Sequence, residues 1–284
     1  MPKPGMDESQ PGATGAPFTA MSFALMPMSG HRARSPKPPQ LIKIRAMPKF
    51  SPGETVWVPS TRLPGAQPFA LMERKVQAVM ERSIVVDDGH GGVVKVSTRT
   101  AHSRSLGFLV LRVGDLITEA TLLNPLAKSV LQYLRLLISD TEVRRLHVRT
   151  DAEVRTFMST RGAAFSHVIL IGHGTPTSLL AMGTRLSGAE VGLMLDEGDP
   201  KVVISLACST GKTTFARELS KSKSVRELVA PFREAHGAAA SLFLQTLLHK
   251  HLLMGHEFRT AFRLANEGLE GTHFRHWRNG VLKS

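Results

Sequence analysis

Cys208 and His173 are the residues of this 284-residue chain whose types and surroundings could carry covalent chemistry. Cys208 is the only cysteine and directly follows the apolar run "KVVISLA" (201–207); His173 follows "HVILIG" (167–172). A thiolate attacks carbonyl carbon, and an imidazole beside it can move the proton that the reaction releases or consumes. Two apolar runs that become adjacent parallel strands would bring both groups to one edge, because reactive groups collect just beyond the carboxyl ends of such strands. Gly174 follows His173, and its bare backbone can approach a substrate carbonyl closely. A cysteine can equally be a small buried hydrophobe, and a histidine a satisfied turn residue. The same stretch offers a second chemistry. Gly211-Lys212-Thr213 ends like the phosphate-binding loop G-x-x-x-x-G-K-[ST]. Leu206 stands where that loop needs its first glycine, and no strand-like run after residue 213 ends in an Asp to hold magnesium. The nucleotide site is therefore the weaker of the two readings.

The elements that must position these residues change character along the chain. Residues 1–46 hold eight of the 17 prolines and five of the 12 methionines without a hydrophobic period, a composition that predicts a disordered leader, either a tail or an over-extended gene start. Residues 47–104 contain the short runs "ETVWVP", "FALMERKVQAVM", "RSIVVDD" and "VVKVST", with a hairpin signal at Asp88-Gly89-His90-Gly91-Gly92. Their spacing predicts a small all-β barrel and resembles Tudor-like and Src-homology-type barrels, which bind peptides, nucleic acid or neighbouring domains.

From 105 to 284 the pattern becomes strand–helix alternation. "GFLVLRV", "VRRLHV", "HVILI", "KVVISLA" and "RELVAPF" read as strands. Between them, Asn124-Pro125 supplies an N-cap and first-turn proline, and Thr150/Glu153 and Ser187/Glu190 form capping boxes. Gly162 ends the helix that Thr150 starts, and two helices over roughly 236–254 and 256–268 divide at Gly255. The fold class expected is α/β: a mainly parallel sheet flanked by helices, preceded by the barrel and the leader.

"HVILIGHG" and "VVISLACSTG" resemble the His-Gly and Ala-Cys blocks of the clan CD cysteine peptidases, and in particular the CHAT group among the caspase-like proteins. "FARELS", "VRELVAPF", "HGAAASLFLQTLLHKHLLMG" and "GHEFRTAFRLA" follow in the order in which CHAT domains place their later elements. The similarity covers about residues 107–268. It implies a caspase-like endopeptidase in which Cys208 is the nucleophile and His173 moves the proton. The backbone amides of Gly174 and Cys208 would form the oxyanion hole. No metal or organic cofactor is implied, and the partners would be a protein substrate and a regulatory protein. CHAT-like proteins often act as regulated proteases in bacterial defence or cell death.

The chain departs from its relatives around the specificity pocket. Leu206 stands where legumains and metacaspases place a carboxylate, and His236 where separase- and CHAT-like sequences carry an acid. Glu234 is the one carboxylate nearby, so an uncharged, small or apolar residue is expected before the scissile bond. "SKSKS" (220–224) is expected to be a mobile exposed loop whose cleavage or partner contact orders the site.

The remaining features point less directly. The net charge of +13 is spread over many elements and fits a solvated surface or attraction to nucleic acid. The rival function is therefore an inactive caspase-like module that recruits protein or nucleic acid through its barrel and basic surface. One cysteine excludes an internal disulfide framework, and no apolar run reaches the ~20 residues of a membrane span, so a cytoplasmic protein without membrane contact is expected. His249, His251 and His256 read as a solvated helix end rather than metal ligands. Asp196, Glu197 and Asp199 should lie at the pole opposite Cys208 in a structural role. "HFRHWRNG" near the C-terminus should dock on the body.

Overall fold

The computed structural model describes residues 50–66, 70–103, 106–114, 119–181, 184–269 and 273–284. The leader expected over 1–46 lies outside them.

Five antiparallel strands come first: β1 (Thr55–Pro59), β2 (Leu71–Val79), β3 (Ser83–Asp87), β4 (Val93–Ser97) and β5 (His102–Ser103). Their order is β4-β3-β2-β1-β5. The β3–β4 turn closes as its composition predicts. Gly89 and Gly91 take φ of +83° and +89°, and Asp88 Oδ1 accepts from the amides of His90 and Gly92 at 2.8 and 2.9 Å. Those amide bonds hold the Asp88 carboxyl below its ordinary range. Alternate residues Val56, Val58, Val76, Ile84, Val86 and Val96 point inward and make a separate core. The region expected to form a barrel is a five-stranded antiparallel sheet, and no ladder joins β4 to β5 among the described residues.

The second sheet has the order β15-β14-β13-β12-β8-β6-β7. Its parallel part comprises β6 (Phe108–Val113), β7 (Val143–Val148), β8 (His167–Ile171), β12 (Lys201–Ser205) and β13 (Val225–Pro231). The antiparallel strands β14 (Phe274–Arg278) and β15 (Val281–Leu282) extend one edge. Helices α1 (Asn124–Leu137), α5 (Gly237–Leu248) and α6 (Phe258–Glu267) cover one face, packing on Phe108, Val110, Ile169, Val202 and Ile204. Helices α2 (Asp151–Arg161), α3 (Gly188–Met194) and α4 (Thr213–Lys221) cover the other, on Leu109, Leu111, Val168, Leu170 and Val203. Burial on both faces explains why β6, β8 and β12 read as continuous apolar runs rather than alternating ones, whereas the edge strand β7 exposes Arg144 and Arg145. A short antiparallel sheet, β9 (His173–Gly174), β10 (Leu179–Ala181) and β11 (Thr184–Leu186), rises from the end of β8. The predicted mixed α/β architecture, with a largely parallel sheet between helices, is thus present.

Both capping boxes form, at Thr150/Glu153 and Ser187/Glu190. Asn124 does not cap α1: a π-turn over Glu119–Leu123 leads into the helix, so Asn124 is already its first residue. "HFRHWRNG" docks as β14, with Trp277 only 3% exposed. "SKSKS" is not a free loop. Helix α4 continues to Lys221, Ser220 and Ser224 are buried, and the Ser224 hydroxyl donates to the Gly192 carbonyl at 2.7 Å. The hydroxyls let a polar segment enter the packed layer, because each finds a partner there. The segment also precedes β13, which places it at the amino pole of the sheet, away from Cys208.

Candidate active site

Strands β8 and β12 are hydrogen-bonded neighbours, with Val202 opposite His167 and Ser205 opposite Leu170. The Leu206 amide extends the ladder, donating to the Leu170 carbonyl at 2.8 Å. His173 and Cys208 therefore follow the carboxyl ends of adjacent parallel strands. Ile171 and Leu206, each two positions before His173 and Cys208, both belong to the core under α1 and α5. Strand β6 has β7 on one side and β8 on the other, so the strand order reverses between β6 and β8. Open α/β sheets form their ligand crevices at such a reversal.

The loop carrying Cys208 is fixed from several sides. Ser209 has φ +61°, a left-handed conformation uncommon for a residue with a side chain. Its amide donates to the Arg233 carbonyl at 3.2 Å, and the Gly211 amide to the Pro231 carbonyl at 2.8 Å. Thr210 Oγ1 donates to the Ala207 carbonyl at 2.7 Å and lies 2.8 Å from Ser205 Oγ. Trp277 Nε1 donates to the Gly211 carbonyl at 3.2 Å. Cys208 itself is half-buried, its Sγ 3.9 Å from the Ala235 carbonyl oxygen just before α5. Among the described residues its own amide has no backbone acceptor.

Gly174 closes on this loop. A Cβ there would lie 2.5 Å from the Cys208 carbonyl oxygen and 2.6 Å from Thr210 Cγ2, so only glycine fits. The Thr175 amide donates to the Ser178 carbonyl at 2.8 Å, and Gly174 faces Leu179 in the next pair of the β9–β10 ladder. Hydrogen-bonded and non-hydrogen-bonded pairs alternate in an antiparallel ladder, which turns the Gly174 amide away from β10. The strand ends thus bring the backbone of His173–Gly174 against the Cys208 loop, with two amides directed away from the β-ladders.

The residues expected to shape specificity divide. Leu206 is 4% exposed and belongs to the core, whereas Glu234 and His236 are exposed on the segment between β13 and α5. His236 has a local role as well, since its Nδ1 accepts from the Ala238 amide at 3.3 Å and caps α5. Lys212 flanks the start of α4 with its ammonium 5.9 Å over the Phe232 ring. Arg275 stacks on that ring at 3.5 Å. Leu206 continues the strand at the position where a phosphate loop would need a glycine.

His251 corrects the expectation of a solvated helix end. It is 6% exposed, bonds through Nδ1 to the His256 carbonyl at 2.9 Å, and packs edge-on against His102 and Phe258. The π-turn His249–Leu253, which continues α5, rotates it inward. Among the described residues no group of three His, Cys, Asp or Glu could hold a metal ion. The acidic cluster before β12 does lie at the opposite pole, where it serves the fully buried Lys201. That ammonium donates to the carbonyls of Glu197 and Asp199. Burial lowers the Lys201 pKa, and the carboxylates of Asp199, Asp196 and Glu197 partly oppose that shift.

Sequence reasoning missed the supports of the loop. Trp277 lies 69 positions beyond Cys208 in sequence and reaches the loop only because β14 pairs with β13. Ser205 and Thr210 flank the cysteine closely enough that two hydroxyls around a lone thiol were a usable signal. No protein-family model and no curated protein sequence matches the chain. Among the described residues, no helix is long and apolar enough to cross a membrane.

Proposed function

We propose that the chain is a caspase-like cysteine endopeptidase of the CHAT kind. The observation that carries this reading is that His173 and Cys208 follow the carboxyl ends of adjacent parallel strands, with Gly174 pressed against the Cys208 carbonyl. In the proposed reaction the Cys208 thiolate adds to the scissile carbonyl, and the Gly174 and Cys208 amides receive the oxyanion. His173 protonates the departing amine as the C–N bond breaks, leaving a thioester. Water, deprotonated by the same imidazole, then adds to the thioester and releases the carboxylic acid and the thiol. The pinned loop supports this reading because a nucleophile must be held where it attacks, and the strained Ser209 beside Cys208 is the kind of outlier that clusters at reactive sites. The likeness to CHAT sequences supports a regulated protease of bacterial defence or cell death, with a partner protein supplying the signal.

Labelling by a thiol-directed acyl probe tests the reading. Wild-type protein should be labelled at Cys208, and His173→Ala should slow that labelling strongly. Mapping of new protein N-termini in cells, wild type against Cys208→Ala, should return cleavage sites that vanish in the variant. An unreactive Cys208 together with unchanged N-termini would overturn the proposal.

A further inference from the structure

The amino pole of the parallel sheet carries two adjoining cavities whose charge no part of the peptidase reading uses. One, of about 560 Å³, is lined by Lys221, Lys223, Arg226 and Arg278 beside Ser222 and Asn279. The other, of about 640 Å³, is lined by Arg99, Arg226, Arg259, Arg278 and Lys283, and reaches the gap between α6 and the β4–β5 turn. Arg226 and Arg278 line both, so the cavities form one trough. Its carboxylates are largely spent within the fold. Glu257 pairs with Arg99 at 2.6 Å, and Glu227 binds His276 at 2.7 Å and Arg278 at 3.4 Å. Asp199, Glu227 and Glu257 line the trough beside Lys221, Lys223, Arg226, Arg259 and Lys283, but among the described residues none of these five cations has a carboxylate within ion-pair distance.

Arg226 sits at the junction, half-buried, with no hydrogen bond from its guanidinium to any described residue. Burial lowers its pKa, with Glu227 partly opposing. A partly desolvated guanidinium without a hydrogen-bonded partner is costly, and an incoming anion offsets that cost. We propose that this trough binds single-stranded nucleic acid through its phosphates, at a site separate from Cys208.

A single strand fits better than the alternatives. It presents one negative charge per nucleotide along a narrow chain, and grooves for single strands track that backbone with cations. A duplex presents its phosphates on a broad convex surface that cannot enter cavities of this size. An acidic peptide would seek backbone partners along a strand edge. The nearest edge, β15, has only two residues and carries the exposed apolar side chains Val281 and Leu282. Half-buried Phe258 lines the second cavity, where it can receive one base face.

Fluorescence anisotropy with a labelled mixed-sequence DNA oligonucleotide of about 12 nucleotides, within the site sizes usual for such grooves, tests this. Using full-length Cys208→Ala protein separates the outcome from the peptidase reading. With five phosphates engaged, log K should fall with log salt at a slope of about −3.5, and Lys221→Ala/Lys223→Ala should flatten that slope by about 1.4. The double variant should also weaken binding at least tenfold at low salt. Both lysines are exposed, so the fold should persist, and Arg226→Ala with an unchanged melting temperature adds a second measure. Arg144→Ala/Arg145→Ala, on exposed β7 at the far edge of the sheet, should bind as the parent does. Equal losses in the two double variants would overturn the site in favour of diffuse attraction. Displacement by poly-glutamate as readily as by unlabelled oligonucleotide would overturn it in favour of an acidic protein partner.

Discussion

Replacing Gly174 by alanine tests how the site is held, because the added methyl meets the Cys208 backbone oxygen and the short side chains of buried Thr210 and Ala207 rather than the free end of a flexible side chain. It would lie 2.5 Å from the Cys208 carbonyl oxygen, 2.6 Å from Thr210 Cγ2 and 3.1 Å from Ala207 Cβ. Carbon–oxygen contacts relax near about 3.3 Å, so β9 and the Cys208 loop must separate by roughly 0.8 Å. The loop cannot follow without loss, being tied to Arg233, Pro231 and Trp277. Overpacking of this kind costs about 1–3 kcal/mol. For a body of this size each kcal/mol lowers the melting temperature by about 2–4 °C. The same shift acts on the chemistry, where a misplacement of about 1 Å costs about 100-fold. The rate of Cys208 labelling by a thiol-directed acyl probe, read beside a thermal melt, reports both effects. Gly268→Ala is the control, since its nearest neighbour, the Leu264 carbonyl oxygen, is at an ordinary 3.6 Å. Labelling of Gly174→Ala at the wild-type rate with an unchanged melt would refute the claim that the two strand ends form one rigid unit.

Three further outcomes are expected. Cys208→Ala should abolish peptide cleavage without unfolding and His173→Ala should lower turnover by several orders of magnitude, while Lys212→Ala is mild in the same assay; a dead Lys212 variant together with ATP hydrolysis in the wild type would restore the nucleotide reading. Lys201, whose folded pKa lies below 10.5, binds fewer protons folded than unfolded as pH rises toward that value, so stability to urea should increase as pH approaches 10.5 from below and Lys201→Met should lose the increase; identical pH profiles would count against a buried ammonium. A peptide-library profile should show an uncharged, small or apolar residue before the scissile bond, whereas strict cleavage after Arg, lost in Glu234→Gln, would make the exposed Glu234 a pocket wall.

What was legible in the sequence is what local physics determines. Four of the five parallel strands are buried on both faces, so their apolar runs stand out, while the edge strand β7 keeps exposed arginines. The two capping boxes mark helix starts with side chains that bond within three residues. His173 and Cys208 could be paired from sequence because each follows such a run directly. What escaped depends on partners distant in the chain. "SKSKS" looks solvated until its serines are seen bonding to Gly192 and to one another across the packed layer. His251 looks exposed until the π-turn rotates it against His102, about 150 residues earlier in the chain. Trp277 shows the same limit within the site, because nothing near it in sequence announces that an antiparallel edge strand will carry its indole to Gly211. The division has a consequence for mechanism. The reacting groups come from strand ends encoded locally, while the groups that hold them come from β14 and from the segment between β13 and α5. Substitutions at Trp277 should therefore loosen Cys208 without touching it, and the identity of that supporting residue says as much about whether the loop can serve a nucleophile as the cysteine does.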